Sequence, residues 1–137
     1  MYMTVQSARA RHTRVRLLSK ARTQFLDITD ELRHAVSQLD VHTGILHAQT
    51  LHTTTALVVN EHEPLLLDDF ARLIRTLVPE DTPYDHDDPT RRSVNLTPDE
   101  RINGHAHCRA LLFSASLSLN VSESDLVLGQ WQRVFFV

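Results

Sequence analysis

The sequence predicts an α+β domain, rich in strands that run mainly antiparallel, with two or three short helices. Two observations carry that reading. Several short stretches alternate apolar and polar side chains, the period of a half-buried strand, and two longer ones repeat apolar residues at helical spacing. Strands interspersed with a few helices, without a regular strand–helix alternation, suit an α+β packing of layers. At 137 residues, 42% hydrophobic and 23% charged, the chain suits one domain spanning residues 1–137 with a core of its own.

Taken in order, residues 1–12 are mostly polar or small and show no period, so they are read as a flexible start. Residues 13–20 alternate, with Val15 and Leu17 on one face, which predicts a strand. Phe25-Leu26-Asp27-Ile28-Thr29 continues extended and then stops. Thr29 is placed to cap a helix through its hydroxyl, with Asp30 and Glu31 in the first turn. Leu32, Ala35, Val36 and Leu39 then recur at helical spacing, predicting a helix over residues 30–40, with Gly44 as the turn beyond it. Residues 45–51 read as a strand with His47 and Gln49 on one face. Residues 55–60 read as the next, their β-branched and apolar run suiting burial. Pro64 suits the first turn of a helix, and Leu66, Phe70, Leu73, Ile74 and Leu77 mark it over residues 64–78, closed by Pro79. Residues 79–104 hold four of the five prolines and few apolar side chains, and a loop of that length is functional or disordered. Residues 105–113 are helix-compatible, although a strand remains open. Leu117, Leu119 and Val121 mark a half-buried strand, residues 122–125 a turn, and residues 126–137 one long last strand.

The composition also excludes. A net charge of −3 leaves no basic footprint for nucleic acid, and no apolar run approaches the roughly 20 residues that span a bilayer. A signal-peptide core is missing from the N-terminus, and one cysteine permits neither an internal disulfide nor a cysteine-rich zinc site, so a cytoplasmic protein is expected. Three glycines leave little room for a phosphate-cradling loop or dinucleotide fingerprint, so no nucleotide cofactor is expected. Nine histidines are the unusual count, and histidine is both a common metal ligand and the acid/base of neutral pH.

Residues 51–61 draw attention first. His52 and the hydroxyls of Thr53, Thr54 and Thr55 lead into an apolar run that ends on Asn60 and Glu61, so a rigid element presents polar groups at both ends. A core strand with an ordinary polar start and finish reads equally well. The hydroxyls could donate to an anion, and Asn60 and Glu61 could orient a ligand or an imidazole. His105 and His107 lie two residues apart. On an extended backbone they would face the same way and could share a metal; on a helix they would stand about 200° apart and could not. Asp68 and Asp69 near the start of a helix read as dipole compensation. The run Tyr84-Asp85-His86-Asp87-Asp88 is a polar cluster or a solvated acidic loop.

Several of these segments coincide in order and spacing with one family. Phe25-Leu26-Asp27-Ile28-Thr29, His52-Thr53-Thr54-Thr55-Ala56, Asn60-Glu61, Asp69, Tyr84-Asp85-His86-Asp87, Asn103-Gly104-His105-Ala106-His107 and Leu128-Gly129-Gln130-Trp131-Gln132 together resemble the YjbQ family, the secondary thiamine-phosphate synthase-like proteins. The resemblance runs from about Val15 to Val137. It implies a β-rich subunit that assembles as a homotrimer and acts on a small, phosphorylated molecule. It further implies catalytic roles for His52, Glu61 and His107, substrate contacts from Thr53, Thr54, Asn60, Trp131 and Gln132, and a divalent metal, zinc or magnesium, on His52, Asp69, His86, His105 and His107. The alternative is a trimer that binds a metal or small ligand without turnover. Two departures stand out: Gln130 replaces the family's usual threonine, and the acidic-Gly-Pro-Arg turn that follows the last strand in relatives is not in this sequence.

Overall fold

The computed structural model describes residues 10–137, so most of the expected flexible start lies outside it. The described elements are β1 (Leu26–Asp27), α1 (Thr29–Gln38), β2 (Gly44–Gln49), β3 (Leu57–Glu61), α2 (Pro64–Leu77), a 3₁₀ turn (Asp85–Asp87), α3 (Gly104–Ala110), β4 (Ser116–Ser122), β5 (Asp125–Leu126) and β6 (Gln132–Phe136). They build two antiparallel three-stranded sheets, ordered β1-β6-β3 and β2-β4-β5. The sheets meet where the Leu57 N–H bonds to the Ser114 carbonyl at 2.8 Å. The α+β class with mainly antiparallel strands is therefore what the chain adopts.

The alternation read from the sequence sets the faces. On β2, Leu46 and Ala48 turn inward while His47 and Gln49 face out. Opposite them Leu117, Leu119 and Val121 of β4 turn the same way. With Ile28 just before α1, Leu32 and Val36 from α1, and Leu57, Leu126 and Val134 from the strands, they close one apolar core. Val134 and Phe135 on β6 are fully buried, because β6 is the central strand of its sheet.

Four local expectations are corrected. Residues 13–20 form no strand: a strand needs a neighbouring edge to take its hydrogen bonds, and the register on β6 accepts only Leu26 and Asp27. Leu17 alone of that segment packs on the core. α1 forms, but Thr29 does not cap it. Its hydroxyl donates to Asp27 Oδ1 at 2.6 Å and accepts the Val134 N–H at 2.8 Å, tying the helix start to β6. Gly44 begins β2; the turn after α1 is made by Asp40, whose φ of 51° lies in the left-handed region. The long last strand is two strands in different sheets. β4 and β5 join through Glu123 and Ser124, both at positive φ, which is a two-residue hairpin turn that matches strand twist. The chain then leaves that sheet through a turn closed by Gly129 and Gln132 before β6 begins.

α2 starts and stops where Pro64 and Pro79 predict. Glu63 caps it, accepting the Leu65 and Leu66 N–H groups at 3.0 and 2.8 Å.

Candidate functional site

The site grows out of the proline-rich loop, where two polar motifs are clamped together. Tyr84 fixes the start of the 3₁₀ turn by donating its hydroxyl to the Pro79 carbonyl at 2.6 Å. Asp87 then reaches across to α3, and its Oδ1 accepts the backbone N–H groups of Asn103 and Gly104 at 3.0 and 2.9 Å. A carboxylate there satisfies two donors that a helix start leaves unpaired, and its charge suits the positive end of the helix dipole. Gly104 is required by the approach itself: a Cβ would stand 2.6 Å from Tyr84 Cβ and 2.9 Å from Asp87 Oδ2.

This clamp sets His86 against His107. The rings meet edge to face with centroids 4.6 Å apart. Burial pushes the His107 imidazole below its ordinary value, and the charges of His86 and Arg92 push the same way. His107 is therefore neutral at neutral pH. His86 Nε2 is buried without a hydrogen-bond partner and lies 3.9 Å from Glu100 Oε1. Arg92 pairs with Glu100 Oε2 at 2.9 Å and also donates to the carbonyls of His86, Val94 and Asn95. The Arg92 hydrogen bond holds the Glu100 carboxyl below the usual carboxylate range. One side chain thus ties the loop to itself and to the histidine turn. Beside His86 lies a cleft of about 370 Å³, lined by His86, Arg92, Glu100 and Arg101 together with the exposed side chains of Leu96 and Ile102.

The other candidates are dispersed within one chain. His52, Thr53 and Thr54 lie in the turn before β3, with His52 exposed. Asn60 and Glu61 end β3, and Glu61 pairs with Gln132 across the sheet. At about 3.3 Å per residue, Leu57 and Glu61 are roughly 13 Å apart, so the two ends of the strand are not one wall in a single subunit. Trp131 is exposed beside Gln132, whose side chain accepts the Gly129 N–H in the turn before β6. Asp69 is exposed on α2 and pairs with Arg72. His105 and His107 share α3, the arrangement in which they cannot grip one ion; His105 is buried, its ring 6.4 Å from that of Tyr84.

Among the described residues no group of three or more His, Cys, Asp or Glu side chains converges in a way that could hold a metal ion. Zinc asks for three or four protein ligands, so the residues of one chain do not fit it unaided. Arg92, Glu100 and the structural role of Asp87 were not legible in the sequence. They fall in an aperiodic stretch, and only the fold brings them to the histidines.

A second polar cluster holds the start of α1. Asp27 accepts from Arg133 Nε at 2.7 Å, from the Thr29 N–H and hydroxyl, and lies 2.9 Å from His62 Nδ1. Burial raises the Asp27 carboxyl, but the hydrogen bonds from Arg133, Thr29 and His62 outweigh it and hold the group well below the carboxylate range.

Comparisons with known proteins agree with this architecture. The family described as "UPF0047 protein YjbQ-like" matches residues 13–137. A UPF0047 protein of Archaeoglobus fulgidus is 36% identical over 88% of this chain and 85% of its own length. The UPF0047 protein YjbQ of Salmonella typhimurium is 32% identical over 86% of this chain and 80% of its own. Among solved structures, a YbjQ-like protein of unknown function from Sulfolobus solfataricus superposes with a TM-score of 0.74 at 30% identity, covering 88% of this chain and 80% of that one. A hypothetical protein from Aeropyrum pernix gives 0.73 at 32% identity, covering 88% and 81%. With the family matched over nearly the whole chain, the protein belongs to the YjbQ (UPF0047) family.

Proposed function

We propose that the protein is an enzyme that transfers a group to or from a small phosphorylated molecule held in the cleft beside the 3₁₀ turn. The observation that carries this reading is His86, which lines a cleft of about 370 Å³ edged by Arg92 and Arg101 and whose ring meets that of His107 at 4.6 Å. In such a transfer the bond to a phosphate or pyrophosphate leaving group breaks, and its electron pair departs on oxygen. Arg101, exposed at the cleft, offsets that charge. The imidazole of His86 positions the substrate in the cleft, and neutral His107 packs against it and holds its ring in place.

The family resemblance selects the first substrate pair to test: the pyrophosphate ester of the thiamine pyrimidine with thiazole phosphate. A C–N bond forms from the thiazole nitrogen to the pyrimidine methylene, and the C–O bond to pyrophosphate breaks. Condensation should be slower in His86→Ala and His107→Ala than in the native chain. Equal rates in all three, at equal folded fractions, would remove the catalytic role.

A second reading, a trimer that binds a metal or small ligand without turnover, is favoured by one feature. The buried, unpartnered His86 Nε2 suits a ligand held in place as well as it suits a proton in transit. A melting temperature that rises with added zinc, alongside no turnover, is the result that would select it. We further propose that the subunit assembles as a homotrimer. Large apolar side chains stand exposed at Leu65, Leu73 and Leu77 on α2 and at Ile45 on β2, surface that a partner subunit would cover. Light scattering should give a mass near three times the 15.7 kDa chain; a monomer at all concentrations excludes the trimer.

A further inference from the structure

The whole-chain charge of −3 averages two unlike parts. Residues 1–26 hold six Lys and Arg and no Asp or Glu, while residues 27–137 hold eight Lys and Arg against all seventeen Asp and Glu. The fold lays the described part of the basic segment along the surface. From residue 10 to residue 22 every side chain is exposed except that of Leu17, which packs on the apolar core.

The cations of this strap divide by what they hold. Arg11 donates to the Leu39 carbonyl at the C-terminal end of α1, where a positive charge suits the helix dipole, and Arg22 pairs with Glu80. With Leu17 between them, these contacts pin the segment at three points. Arg14, Arg16 and Lys20 lie between the pinned ends, and among the described residues no carboxylate pairs with them. The chain from Arg14 to Lys20 spans at most about 20 Å, so three uncompensated cations share one short track. The acidic remainder of the chain does not cancel their field from a distance, because salt screens charges beyond about 8–10 Å.

Such a track fits a run of anions that is equally contiguous. A second copy of the chain offers none as ready: Asp27, Asp69, Glu80, Asp85, Glu100 and Asp125 are each already bonded to an arginine. An anionic membrane is a poorer match as well. A segment lying in a lipid interface turns an apolar face to it, whereas here Leu17 faces the core and only Val15 and Leu18 are left exposed. A nucleic-acid backbone carries its phosphates in series, and guanidinium groups bind phosphate oxygens in pairs. A single strand can bend to follow a short track, while the strands of a duplex wind away from it.

We propose that the strap is a docking surface for the phosphate backbone of a single-stranded nucleic acid, with Arg14, Arg16 and Lys20 as its contacts. Among the described residues the strap has no Phe, Tyr or Trp, and Phe25 beyond it packs against Phe70 and Phe135. With no such ring for a base to stack on, binding there is independent of base sequence. The three cations share no residue with the cleft beside His86, and the proposal does not depend on the reaction assigned to that cleft.

The test uses the full chain and a labelled oligouridine, with binding read by fluorescence anisotropy at increasing KCl. The logarithm of the affinity should fall against the logarithm of salt with a slope of about −2, that is about −0.7 for each of three cations. Arg14→Ser and Arg16→Ser in one chain should flatten that slope to about −0.7 and weaken binding at low salt. The melting temperature should not change, since both side chains are exposed. Lys20→Gln, made separately, should flatten the slope by about 0.7, and His86→Ala should bind as the native chain does. Absence of binding at low salt, or a slope that none of the strap variants alters, overturns the proposal. Co-sedimentation with phosphatidylserine vesicles and no binding of oligouridine overturns it in favour of a lipid surface. A lower mass by light scattering in the double variant overturns it in favour of a contact between subunits.

Discussion

Gly104→Ala tests the clamp that makes the site. The added methyl would lie 2.6 Å from Tyr84 Cβ, where ordinary contact begins at 3.4 Å. Tyr84 Cβ is fixed to its backbone, so no side-chain rotation clears it, and the turn must retreat by close to 1 Å. Two effects compete. Replacing glycine in a helix gains at most about 1 kcal/mol, and less at the first helical residue. Overpacking costs about 1–3 kcal/mol, and displacing Asp87 weakens the capping of Asn103 and Gly104, a loss of about 1 kcal/mol more. Overpacking wins. The expected net destabilisation is about 1–3 kcal/mol, or a melting temperature lower by roughly 4–10 °C for a domain of this size. Thermal and urea unfolding measure it. A Gly104→Ala chain as stable as the native one would show that residues 84–87 do not pack on α3, and the juxtaposition of His86 with His107 would fall with it.

Three further outcomes follow from the hydrogen bonds and charges. Thr29→Val leaves the buried Val134 N–H without its acceptor and should cost about 1–3 kcal/mol, read from urea unfolding, although valine fills the same space. Asp27 is ionised in the fold to well below its ordinary value, so its contribution is present above an unfolded-state pKa of about 4 and is lost as pH falls further. Asp27→Asn should cost about 2–3 kcal/mol at pH 7 by removing the nearer of Arg133's two carboxylate partners, Asp30 remaining at 3.3 Å, and less at pH 3; parallel losses in both chains between pH 7 and pH 3 would contradict this. His107 should titrate below the imidazole norm of about 6.5 by NMR, with His86→Ala raising its midpoint. Because the unfolded chain takes up that proton first, His107 costs stability only as pH drops below about 6.5, and a midpoint above that value would refute its burial.

What could be read in the chain and what could not divides along the range of the interactions. The periodicities of Leu117, Leu119 and Val121 and of Leu66, Phe70, Leu73 and Ile74, with Pro64 and Pro79 as punctuation, placed β4 and α2 because each pattern is complete within one element. Val15 and Leu17 also alternate, though loosely, yet no strand forms, since a strand also needs an edge contributed from elsewhere. Thr29 looked like a helix cap because a cap is a local motif; the hydroxyl went instead to Val134, 105 residues away. The candidate site divides in the same way. His86 and His107 were identifiable as chemistry-bearing residues from their motifs. Their contact, the Arg92–Glu100 brace and the separation of His52 from Glu61 by the length of β3 exist only in the folded chain. Sequence specifies which side chains can do chemistry, because that is a property of the residue. Tertiary structure decides which of them meet, because desolvation, hydrogen-bond partners and distance belong to the neighbours.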